Sequence, residues 1–170
     1  MAFRSTQSRQ EKTMTTTFSP EWDDLFFNTP DPESTRVREF GRWLRANKYK
    51  EVTLYHGTSK KVPVLEKGLL PTSAKRRRSL QSASGFVYLS VFPGSAENFG
   101  KMGYPGHEIV VYAVRLMIRH LRPDKDQLAN KRHWAELAVR DCLEHSLVFG
   151  YGARVKGKVD RMYLSLVDTR

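Results

Sequence analysis

Val52-Thr53-Leu54-Tyr55-His56-Gly57-Thr58-Ser59 starts as an apolar, β-branched and aromatic run and ends on a histidine, a glycine and two hydroxyls. Farther along, Gly85-Phe86-Val87-Tyr88-Leu89-Ser90-Val91 alternates and is rich in aromatic and β-branched residues. Both read as strands. The first covers Val52–Tyr55 and leaves His56 at its end. Strand ends support loops that hold ligands. Gly57 would let a ligand approach the main chain, and Thr58 and Ser59 offer small hydroxyl donors. In the second strand, period two puts Tyr88 and Ser90 on one face, an aromatic wall beside a hydroxyl. Taken alone, His56 reads first as a packing histidine at a strand edge, and Tyr88 as a cross-strand packing tyrosine.

Outward from these strands, Met1–Thr17 is rich in Ser, Thr and Gln and reads as a flexible basic tail. Phe18, Trp22, Leu25 and Phe26 fit one face of a helix over 18–27, with Ser19 at its N-cap and Pro20 at N1. Thr35–Asn47 is a second helix. Val37, Phe40 and Leu44 form its buried stripe, and Arg36, Arg38, Arg42 and Arg45 lie largely off it. A short helix over 62–68 ends at Gly68, and Lys75–Arg78 forms a basic loop. Ser95 is placed to cap a helix reaching Phe99, and Gly100–Gly106 reads as a glycine-rich loop. Glu108–Val114 is the clearest central strand, and Arg115–Leu121 extends it or turns into a short helix. Asp126–Cys142 has the longest helical pattern. Leu147–Phe149, Ala153–Val155 and Arg161–Val167 read as strands. This order predicts an α+β fold. Residues 1–17 are its tail, 18–50 a helical segment and 51–170 the body.

The chain has 170 residues, a size suited to one domain. Lys and Arg number 29 against 18 Asp and Glu, a formal charge of +11, and the mean hydropathy is −0.55. Such a charge favours an anionic partner without naming it. The single Cys142 excludes an internal disulfide framework, and it reads as a core residue on a helix rather than as a nucleophile partnered by His56 or His145. No apolar run reaches the length of a membrane span and no secretory signal core is evident, so the expected compartment is the cytoplasm, with no membrane partner. The histidines at 107, 120, 133 and 145 do not fall into HExxH, and no metal site is expected. No GxGxxG precedes a suitable helix and no GxxxxGK[ST] occurs, so a dinucleotide would not be held by a Rossmann or P-loop fingerprint.

Leu54-Tyr55-His56-Gly57-Thr58, then Gly68-Leu69-Leu70-Pro71, then Val87-Tyr88-Leu89-Ser90 with Ala96-Glu97-Asn98-Phe99, resembles the ADP-ribosyltransferase superfamily. The resemblance is to its histidine-tyrosine branch, which includes poly-ADP-ribose polymerase-like enzymes and RNA 2′-phosphotransferases, and it covers roughly residues 51–115. It implies a split, strongly bent β-sandwich around a cleft for the co-substrate NAD, with helices outside. It also implies that His56 holds the adenosine ribose, that the Gly57 main chain meets the nicotinamide amide, that Tyr88 stacks on the nicotinamide and that Ser90 lies beside it. Thr58 joins this NAD-contacting set. The activity implied is mono-ADP-ribosyl transfer to a macromolecular acceptor, a protein or a nucleic acid, with release of nicotinamide, as in a toxin or effector.

Many such transferases carry a glutamate at the start of a late strand. The matching place here is Gly152 or Ala153, neither of them acidic. Three explanations stay open: Glu144 or Glu136 reaches the site, a mechanism without that glutamate operates, or the chain is an inactive or altered transferase; the expected catalytic set is His56, Tyr88 and Glu144. Two other functions are compatible with the sequence. One is an NAD-dependent RNA 2′-phosphotransferase, and the other a non-catalytic basic nucleic-acid-binding protein.

Overall fold

A computed structural model describes residues 18–28, 30–71, 85–125 and 131–167. The expected tail 1–17, the Lys75–Arg78 loop and the first residues of the expected helix at 126–130 lie outside the described residues. In chain order the elements are α1 (Asp23–Phe27), α2 (Thr35–Ala46), β1 (Glu51–Ser59), α3 (Val64–Lys67), β2 (Phe86–Ser90), α4 (Pro93–Gly103), β3 (Ile109–Met117), α5 (Lys131–Glu136), α6 (Leu143–Phe149), β4 (Gly152–Lys156) and β5 (Leu164–Leu166). Short 3₁₀ turns precede α1, follow β3 and precede β5. The fold is α+β, and its five strands form one antiparallel sheet in the order β4-β2-β1-β3-β5.

β1 and β3 pair along their full length, with Leu54 opposite Val114 and Gly57 opposite Val111. One face of this ladder presents Val52, Leu54, Tyr112 and Val114 to the main core. The helices α1 and α2 close that core. Phe18 stacks on Phe26 at 5.5 Å, and Trp22 and Phe40 lie 5.4 Å apart in the same cluster. Ser34 starts α2, its Oγ accepting from the Val37 N–H at 3.3 Å. The other face of β1 and β3 presents Tyr55, Val111 and Ala113 to a smaller cluster with Ala96 of α4.

Several elements differ from the sequence reading. β1 runs on to Ser59, so His56 lies inside the strand rather than at its end. α4 begins at Pro93, with Pro in the first turn, rather than at Ser95. It also absorbs Gly100–Gly103, which glycine's poor helix propensity had marked as loop. Gly100 is tolerated there because the helix lies close on the strand: a Cβ would fall 2.7 Å from Ile109 Cγ2 and 3.0 Å from the Gly57 carbonyl carbon. The long helix expected to reach Cys142 is replaced by α5, which stops at Glu136. Leu137 is exposed, and Ala138 takes a φ of 58°, which a helix cannot continue. Cys142 therefore lies outside a helix, in extended geometry just before α6. Leu147–Phe149, expected as a strand, is the last turn of α6, because Leu147 and Val148 pack into the core from a helix. The expected strand 161–167 narrows to β5 behind a 3₁₀ turn at Arg161–Tyr163.

Candidate functional site

The hydrogen-bond alternation along β1 shows which way its main chain points. The Lys60 N–H donates to the Glu108 carbonyl at 2.9 Å, and the Ile118 N–H donates to the Lys50 carbonyl at 3.0 Å. Both pairs lie on the β1–β3 register, so the even-numbered residues between them direct their N–H and C=O groups at β3. The odd-numbered residues Tyr55 and Gly57 direct theirs at the opposite edge, toward β2. There, among the described residues, the β1–β2 register consists of Tyr55 opposite Ser90. Continuing it by two residues would set Gly57 opposite Tyr88. Instead the His56 ring takes up the Tyr88 carbonyl, with Nδ1 2.7 Å from that oxygen. The sheet thus opens between β1 and β2 just past Tyr55 and Ser90, and the Gly57 amide and carbonyl point into the opening.

Gly57 is the only residue type that fits this place. A Cβ would land on the Ala96 carbonyl of α4. With no side chain, α4 seats directly on the strand and holds its main chain steady, while the other edge stays available to a ligand.

The His56 ring is fixed in tautomer as well as position. Its Nδ1 faces a carbonyl, so Nδ1 carries the hydrogen and donates, and Nε2 is left as an acceptor. Burial lowers the pKa of His56 from its ordinary value, against the smaller raising effect of the Tyr88 carbonyl. The ring is therefore neutral near pH 7, and its Nε2 can accept from a hydroxyl. The hydroxyls of Thr58 and Ser59 are buried. Ser59 Oγ lies 2.8 Å from His107 Nδ1 and accepts from the Lys61 N–H at 3.2 Å, which ties the exit of β1 to the chain ahead of β3.

On β2, Tyr88 is partly buried and Ser90 buried; they lie opposite Arg154 and Gly152 of β4. Arg154 is a further residue of this face that no sequence motif marks. It is a buried arginine with its guanidinium carbon 4.0 Å from the centre of the Phe86 ring. The signal was an arginine in the middle of Gly-Ala-Arg-Val-Lys, where alternation faces it the same way as Tyr88. No motif marks Ser146 either. Its buried Oγ donates to the Gly152 carbonyl at 2.6 Å and accepts from the Asp124 N–H at 2.8 Å, which pins the start of β4.

His56, Gly57, Tyr88 and Ser90 thus meet at the opening, and Thr58 follows directly on β1. Glu144 is directed elsewhere. It lies in the first turn of α6, packed so close over Gly41 of α2 that a Cβ there would be 2.5 Å from Oε1, and Arg45 is 3.8 Å from the same carboxylate. Glu136 is exposed on α5. Gly152 and Ala153 occupy the start of β4 and are both buried. Burial pushes the Cys142 thiol up to about 11, so it stays protonated at neutral pH. His145 is buried, with Nδ1 accepting from the Arg140 N–H at 2.7 Å and a further hydrogen bond to the Pro32 backbone. Its ring is committed to holding loops rather than to a ligand. Among the described residues, no group of three or more His, Cys, Asp and Glu is placed to hold a metal ion, and no helix is long and apolar enough to cross a membrane. Compared with protein-family models and with curated proteins, the chain matches none of them.

Proposed function

We propose that the chain is an NAD-dependent mono-ADP-ribosyltransferase acting in the cytoplasm, and that the opening between β1 and β2 is the split of an ADP-ribosyltransferase-like sandwich. The observation that carries this reading is the Gly57 main chain directed into the opening beside a neutral, tautomer-fixed His56. A main-chain N–H and C=O on one residue complement a carboxamide, which offers one acceptor and two donors. In this reading Gly57 holds the nicotinamide amide and Tyr88 stacks against its ring. His56 Nε2 accepts from a ribose hydroxyl. Ser90 lies at the β1–β2 pair opposite Tyr55, and Thr58 lies past His56 toward the exit of β1.

In the reaction, the bond between nicotinamide and C1″ of the ribose breaks and nicotinamide leaves with the bonding electrons. A nucleophilic atom of the acceptor forms the new bond to C1″ and gives up its proton. Positive charge develops on the ribose as the first bond breaks. The acid that would face this charge in many relatives of such a fold has no counterpart at Gly152 or Ala153, and Glu144 is engaged with α2. Catalysis is then mainly positioning: the ribose is held by His56 and the leaving group is clamped by Tyr88 and Gly57, which leaves C1″ open to the acceptor.

The test is incubation with labelled NAD and separate protein, DNA and RNA fractions, with His56→Ala and Tyr88→Ala in parallel. Label transfer that depends on both residues supports the reading. Label transfer that Glu144→Gln abolishes would restore Glu144 to the catalytic set. An absence of NAD binding and cleavage by the wild-type chain would end the reading. NAD consumption seen only with 2′-phosphorylated RNA would assign the phosphotransferase activity instead.

A further inference from the structure

We infer that the base of β1, at the far end of the strand from His56, is a docking surface for single-stranded nucleic acid. Tyr49 serves as its stacking platform, and Lys48, Lys50 and Arg119 as its phosphate-binding cations. The surface is built by the turn between α2 and β1 and by the end of β3. The Arg119 N–H donates to the Lys48 carbonyl at 2.8 Å, and the Ile118 N–H to the Lys50 carbonyl at 3.0 Å, so the turn is bonded to β3 on both sides of Tyr49. The platform is therefore rigid, yet the Tyr49 side chain is 66% exposed.

Cations gather around this aromatic group. Lys48 Nζ lies 5.3 Å and the Arg119 guanidinium carbon 5.5 Å from the centre of the Tyr49 ring. Next to it, Lys50 Nζ lies 5.1 Å from the centre of the partly buried Trp43 ring. Lys48, Lys50 and Arg119 make no salt bridge with a described residue. This separates them from two of the four α2 arginines: Arg36 is bound to Asp24 at 2.8 Å, and Arg45 lies 3.8 Å from Glu144. Glu51 is the exposed acid next to Lys50.

An exposed aromatic ring on a main chain bonded to the sheet, among cations that no described carboxylate neutralises, is what a single strand needs. Every base has a π-face to stack on such a ring, and the cations track the backbone. An acidic peptide would use the cations but gain nothing comparable from Tyr49. A regular duplex keeps its bases stacked inside, so it would use the cations alone.

The surface is independent of the NAD reading. From Lys50 to His56 the strand rises about 20 Å, and no residue is shared between the two sites.

The experiment uses the full chain and measures fluorescence anisotropy with labelled oligo(dT) and oligo(U) over a range of salt, with a DNA duplex and polyglutamate as competitors. Tyr49→Ala should weaken oligonucleotide binding about 5- to 100-fold with little change in salt slope, and Tyr49→Phe should restore it. Lys48→Ala with Arg119→Ala should lower the salt slope by about 0.7 for each phosphate that is no longer neutralised. Equal binding by wild type, Tyr49→Ala and the double variant would overturn the proposal, because the strand would then be held elsewhere. So would equal competition by polyglutamate or duplex. Loss of NAD turnover in His56→Ala leaves these results unchanged, so either reading can fail alone.

Discussion

At its start β1 carries Val52 and Leu54, exposed at 2% and 0%, locked between β3 and the aromatic helices of the N-terminal segment. In its second half the same strand carries His56, Gly57, Thr58 and Ser59, paired to β3 on one edge and opened from β2 on the other. The first half is held by volume. The second is held by a close seat for α4 at Gly57 and by the His56 ring on the Tyr88 carbonyl. A strand anchored by bulk at one end can present bare main chain at the other, because the anchor fixes the register that the open half would not fix alone.

The sharpest way to break this contrast is at the anchor. Leu54→Ala removes a fully buried side chain from the main core and should cost about 2–5 kcal/mol of stability in urea unfolding. Under conditions where the variant is folded, its affinity for NAD should match wild type. A loss of affinity without a loss of stability would mean that the two halves are not separable in this way.

Gly57→Ala attacks the open half. The added methyl meets the Ala96 carbonyl, so α4 or the strand must shift, at a cost of about 1–3 kcal/mol. Here NAD binding should be lost in the folded variant. Leu54→Ala should thus lose the more stability and keep binding, whereas Gly57→Ala loses binding at a smaller cost in stability, read from unfolding curves and calorimetric titration of NAD.

How far the two halves were legible in sequence follows from the same physics. Tyr88 with Ser90 on one face, the strands themselves and the α2 stripe were legible, because period two and period 3.6 are imposed by burial on one side. The extent of β1 past Tyr55 was not, because Gly57 is a poor strand residue, Thr58 is the one strand former in His-Gly-Thr-Ser, and the pairing with β3 is a tertiary fact. Gly100 looked like a loop residue for the same reason: the close approach that requires it is to Gly57, far away in the chain. Leu147–Phe149 looked like a strand because a three-residue apolar run carries no period, and its packing from a helix is set by the neighbouring Ser146 and Leu143. The direction of Glu144 toward Gly41 could not be read at all, since the sequence contains both residues and no hint that they meet.

Acid should weaken the molecule through two of its histidines, one at the opening and one remote from it. Burial lowers the pKa of both His56 and His145 below the ordinary 6.5. The unfolded chain then binds protons that the folded chain does not. Stability is complete above about pH 6.5 and falls as the pH drops from there toward the folded-state values, each group contributing at most about 1.4 kcal/mol per pH unit. Unfolding free energies between pH 7.5 and 5 should show this slope. His145→Asn should remove part of it without touching NAD affinity near pH 7, whereas His56→Asn should remove part of it together with affinity. An unchanged slope in both variants would place the titrating groups elsewhere.

The smallest effect is expected where β1 leaves the opening. Lys60 Nζ and Glu108 Oε1 are 3.3 Å apart, but their side chains are 63% and 70% exposed. Both ions keep most of their hydration, and holding two long side chains in one geometry costs rotamer freedom. The main-chain bond from the Lys60 N–H to the Glu108 carbonyl already joins the same two residues and survives any change of side chain. A double-mutant cycle of Lys60→Ala and Glu108→Ala should therefore give a coupling of about 0.2–1 kcal/mol that shrinks further in high salt. NAD affinity should stay within error in all three variants. A coupling several times larger would mean that the open half of β1 relies on charge for its register, and the division of labour along the strand would have to be redrawn around the ion pair.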